Sequence, residues 1–134
     1  MTLLELIYNK PELLLEDATK CLVRAHLPHY DMYRKEEIGK NLSSFLLSLT
    51  KCIEDNSPDE MVRYMNLITD ERFASGFEAD ELQIAINIFE EALWKGIHKY
   101  VDEDKQYAAM KQVCCIIGKA KQEVLDDYAM LTKC

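Results

Sequence analysis

Apolar side chains recur at intervals of three and four along almost the whole chain, and no stretch alternates apolar with polar residues as a half-buried strand would. That spacing predicts an all-α fold of about six helices. A short first helix covers 2–9. Pro11, tolerated in a first turn, opens a second that runs to about Ala25, with Leu14, Ala18, Cys21, Leu22 and Ala25 on one face. Pro28 closes this region and leaves 27–32 as a loop. The third helix, about 34–54, carries Ile38, Leu42, Phe45, Leu46, Leu49, Cys52 and Ile53 along its buried side.

Ser57-Pro58-Asp59-Glu60 reads as a helix start, with Ser57 as cap, Pro58 in the first helical position and Glu60 reaching back to complete a capping box. This fourth helix is expected to end near Ser75. Gly76 can take the left-handed conformation that stops a helix, and Phe77 supplies the apolar contact that accompanies such a stop. Glu78, Asp80 and Glu81 suit the positive end of the helix that follows. That fifth helix, about 79–101, is apolar around more than half its circumference and is expected at the centre of the fold.

The sixth helix starts near Glu103, where Tyr107, Met110, Cys114, Ile117, Lys121, Val124, Tyr128 and Leu131 alternate by threes and fours as a heptad seam with one basic interruption. Read as a mating stripe, Met110, Cys114, Ile117, Lys121, Val124, Tyr128 and Leu131 form a homodimer interface that Lys121→Leu should tighten. No Gly or Pro ends this helix before Cys134, so it is expected to span 103–134 and to continue into an output domain. Globin-like packing and an up-down bundle both remain compatible with the periodicity.

Composition narrows the function. A chain of 134 residues makes one domain, 1–134. Lys and Arg number 16 and Asp and Glu 24, so 16 − 24 gives −8, without the basic face that nucleic acid requires. Five cysteines, odd in number and without CxxC spacing, fit thiols in a reducing cytoplasm better than a disulfide framework. No apolar run approaches the ~18 residues of a membrane span, and the N-terminal leucines lack the basic flank of a secretion signal.

Candidate chemistry is sparse. His26 and His29 would share a metal with Cys21 or Asp31 if helical, but Pro28 lies between them, and loop packing explains them as well. His98, near the end of the fifth helix, would ligate haem in a pocket walled by Phe45, Phe89 and Leu93, or would simply place a cation at a helix C-terminus. The acidic groups Glu36/Glu37, Glu78/Asp80/Glu81 and Glu90/Glu91 read as solvated surface, with Glu36–Lys40 and Glu91–Lys95 in the favourable order for pairing. Cys114, on the seam, reads as a buried structural thiol. No phosphate loop, nucleophile elbow or zinc-protease motif is present, so neither a catalytic residue nor a cofactor is expected.

The order of features, a leucine-rich short helix, a long amphipathic helix, a capped helix ending in Arg72-x-x-x-Gly76-Phe77, then Leu82 and a very apolar helix, resembles the RsbRD-type N-terminal domain. Members are helical sensory modules of bacterial signalling proteins, found ahead of STAS domains in stressosome co-antagonists and ahead of histidine kinases. The resemblance spans roughly residues 1–130. It implies a globin-like, haem-free, homodimeric module that passes a stress-type signal through its final helix to an output domain or signalling partner. It assigns Arg72, Gly76, Phe77 and Leu82 to a structural corner, while the family's phosphorylatable residues lie in a STAS domain not represented here. Two readings compete with it: a haem or apolar-ligand sensor using His98, and an enzyme without a legible motif.

Overall fold

A computed structural model describes residues 1–133; Cys134, and with it the expected end of the last helix, lies outside the described residues. Six α-helices account for nearly all of the chain: α1 Leu3–Asn9, α2 Pro11–Arg24, α3 Lys35–Asp55, α4 Asp59–Ala74, α5 Ala79–Tyr100 and α6 Glu103–Leu131. The fold is all-α among the described residues. The segment 27–32 contains one 3-10 turn, Tyr30–Met32.

Local chemistry explains most boundaries. At α1, Thr2 and Glu5 form a reciprocal capping box: the Glu5 amide donates to Thr2 Oγ1 and the Thr2 amide to Glu5 Oε1, both at 3.2 Å. Pro11 takes the first position of α2. The expected box at α4 does not form. Ser57 Oγ accepts from the Asp59 amide at 3.2 Å, the Met61 amide is bound by the Cys52 sulfur at 3.2 Å, and Glu60 turns instead to Arg63.

The helices close around α5, which packs against α1, α2 and α6, while its Phe89 ring meets Phe45 of α3 at 5.0 Å. The approach is tightest at Gly96, where a Cβ would lie 2.7 Å from Leu14 Cδ2 and 3.4 Å from Leu6 Cδ2. The two short N-terminal helices thereby reach the α5 backbone. No described helix is long and apolar enough to cross a membrane.

α6 lies along α4 and α5, and the face it buries differs from the seam read in the sequence. Ala109, Val113, Ile116, Ile117, Ala120 and Val124 point inward. Ile117 and Val124 are fully covered by their own chain and offer nothing to a second copy in this conformation. Cys114 is exposed rather than buried, and Met110, Lys121, Tyr128 and Leu131 lie half-buried along the groove. The small side chains of Ala109 and Ala120 let the helix axes approach, which large residues one position away would prevent.

Candidate functional site

The most heavily built feature is the turn from α4 into α5. Gly76 has φ +89°, its amide donates to the Phe73 carbonyl at 3.1 Å, and the Phe77 amide donates to the Arg72 carbonyl at 3.0 Å. These are the two hydrogen bonds of a Schellman stop. Phe77 folds back into the core beside Tyr30, at a ring distance of 5.0 Å, and His29, also at 5.0 Å. Leu82, one turn into α5, is buried below it. The four residues Arg72, Gly76, Phe77 and Leu82 thus sit together at one corner.

A buried carboxylate ties the 27–32 segment to this corner. Glu81 Oε2 accepts from the His29 amide at 2.9 Å, and Oε1 lies 2.7 Å from His29 Nδ1 and accepts from the Glu78 amide at 3.1 Å. Burial alone would raise the Glu81 carboxyl, but these donors outweigh it and hold its pKa below the ordinary 4.5. The expectation of a solvated acid therefore fails here, and it fails again at Glu90. That carboxylate is buried and receives Lys121 Nζ at 2.8 Å, so the lysine read as an interfacial interruption is neutralised within its own chain. Glu90 shares a helical face with apolar neighbours: Ile86, Glu90, Leu93 and Ile97 are spaced four, three and four apart, a signal that charge alone obscures.

Arg72 is the least expected member. It is 3% exposed, stands against the rings of Phe77 and Tyr33 at 5.5 and 5.8 Å, and pairs through Nη1 with Glu71 Oε1 at 2.6 Å. Its Nε has no hydrogen-bond partner among the described residues. Beside it lies a cavity of about 50 Å³ walled chiefly by Leu42, Phe45, Met65, Leu82, Ala85 and Phe89, with Tyr30, Asn41 and Tyr64 also in its lining. Burial pushes the Tyr64 phenol up to about 12, so it stays a neutral donor.

The corner is fastened to α6. Tyr128 Oη donates to the Phe77 carbonyl at 2.7 Å, and its ring meets Phe73 edge-on at 5.4 Å. Burial pushes the Tyr128 phenol up to about 12, which keeps the donor protonated. Beside it, burial and the neighbouring Glu123 and Asp70 push the Asp127 carboxyl up to about 6.

The other candidates do not converge. His26 is exposed and turns to Asp31 at 3.3 Å, while His29 belongs to Glu81; no three His, Cys, Asp or Glu side chains gather as a metal set among the described residues. His98 is exposed on α5 and does not line the cavity, to which Phe45 and Phe89 contribute and Leu93 does not. Lys95 reaches Asp17 at 3.7 Å rather than Glu91. Cys21, Cys52, Cys114 and Cys115 are free thiols. No family model, curated protein or solved structure matches the chain.

Proposed function

We propose that the chain is a non-enzymatic sensory module of a bacterial stress-type signalling pathway, working in the cytoplasm, in which the α4–α5 corner receives a signal and α6 carries it onward. The observation that carries this reading is the bond from Tyr128 to the Phe77 carbonyl, because it joins the C-terminal third of α6 to a helix stop instead of to a uniform helix face. A shift in the corner changes that acceptor directly. Packed elements of this kind switch between discrete arrangements more readily than they bend. The resemblance in Arg72, Gly76, Phe77 and Leu82 supports the same assignment. Self-association, which the reading includes, falls to the outward face of α6, where Tyr107, Leu125 and Met130 are 80%, 53% and 69% exposed. Sedimentation velocity from one to a hundred micromolar tests that part through Tyr107→Lys, which should weaken any dimer.

Hydrogen exchange tests the relay. Removing one hydroxyl donor costs about 1 kcal/mol, or roughly a fivefold rise in local opening. In Tyr128→Phe the amides of 75–77 and 121–131 should exchange about fivefold faster together, with 103–115 unchanged. Unaltered exchange in either segment would remove the relay.

A further inference from the structure

Arg72 keeps one buried donor, Nε, unsatisfied among the described residues although Glu71 pairs with Nη1. A guanidinium taken out of water is costly unless paired, and a partner in solvent compensates weakly. Its one ion-pair partner, Glu71, has a side chain that is 63% exposed, whereas Arg72 itself is almost wholly covered and leaves Nε unbound. The side-on edge of an arginine is the edge that carboxylates bind, through two parallel N–H donors. Apart from Arg72, Tyr30, Asn41 and Tyr64 the cavity is lined by apolar side chains, holds roughly three to five water-sized groups, and includes half-buried Asn41, Tyr64 and Ile68 in its wall.

From this juxtaposition of a buried arginine, unpaired at Nε, with a small and mainly apolar cavity we infer that the corner binds a short-chain aliphatic carboxylate of two or three carbons, its carboxylate on Arg72 and its alkyl tail against Phe45, Phe89 and Ala85. The inference deepens the sensory reading above and rests on it for the meaning of binding, though not for binding itself. Size and charge select against other classes. A divalent cation is repelled by Arg72, a porphyrin or long acyl chain exceeds the space, and a phosphate dianion needs more donors than one arginine and two phenols supply. A bare halide would satisfy the charge and leave the apolar walls unfilled.

The test titrates the full chain with sodium propionate, against sodium chloride at equal ionic strength, by calorimetry and thermal unfolding. Propionate at a hundredfold excess over its Kd should raise Tm by roughly 8–10 °C, saturably. Arg72→Gln should bind at least tenfold more weakly. Ala85→Val, which narrows the cavity and keeps the arginine, should do the same, and it decides the matter if the first variant does not fold by circular dichroism. An equal response to chloride, no saturable response to propionate, or wild-type affinity in Ala85→Val would overturn the inference. The exchange experiment on Tyr128→Phe is run without propionate, so a relay that holds while propionate fails to bind removes the ligand and spares the relay.

Discussion

Two turns of the molecule use the same backbone device with different cargo. At the end of α3, Asn56 has φ +50°, its amide donates to the Ile53 carbonyl at 3.3 Å, and the Ser57 amide donates to the Cys52 carbonyl at 3.0 Å. At the end of α4, Gly76 and Phe77 repeat that pattern onto Phe73 and Arg72. What differs is the pair of residues at the two ends of the longer bond. Cys52 and Ser57 turn to the first amides of the next helix and border an open groove against α6, with no buried charge and no side-chain hydrogen bond from another helix among the described residues. Arg72 and Phe77 bring together a buried charge, a cavity wall, the 27–32 segment and α6. The backbone motif ends a helix; the side chains loaded on it decide whether the turn is a joint or a site.

The contrast is sharpest in Phe77→Ala, which should cost about 3–5 kcal/mol in urea unfolding, the range for removing a buried aromatic ring. The matching change, Ser57→Ala, loses one exposed capping bond and should cost under about 1 kcal/mol. Equal costs would erase the distinction. Next in size is Lys121→Leu, expected to destabilise by about 1–3 kcal/mol because it strands the buried Glu90 carboxylate, and not to tighten association. Gly76→Ala forces a side chain into a left-handed position and should cost about 1–2 kcal/mol, whereas Asn56→Gly relieves a residue already there and should stay within about 0.5 kcal/mol.

The smallest expected effect is the pH dependence. Glu81 has a folded pKa below its ordinary 4.5, so its contribution is fully present above that value and is lost as pH falls through the lower folded one. Asp127 runs the other way. With a folded pKa of about 6 against 3.8 for the free side chain, its ionised form is disfavoured in the fold, so stability rises as pH falls from 7 toward 4. Screened by solvent, that gain is of the order of 1 kcal/mol and should vanish in Asp127→Asn, as pH-dependent urea midpoints would reveal.

The helices, the Gly76 stop and the inward turn of Phe77 are all legible in the sequence, since each follows from local periodicity or from backbone conformations few residues tolerate. The orientation of α6 is not. Two stripes offset by one residue share Ile117 and Val124, and a count of large side chains at heptad spacing prefers Met110, Tyr128 and Leu131, while the observed packing buries Ala109, Val113, Ile116 and Ala120. Glu81 and Glu90 escape for a related reason, because their burial depends on His29 and Lys121, which stand 52 and 31 residues away. Arg72 is placed at the corner by the resemblance, but neither its burial nor the adjoining cavity leaves a mark in one helix's spacing.

The most direct measurement of the relay is native-state hydrogen exchange along α6 in Gly76→Ala. A coupled corner predicts that amides at 121–131 exchange at least fivefold faster relative to those at 103–115 than in the unaltered chain. An unchanged ratio between the two halves of the helix would contradict it.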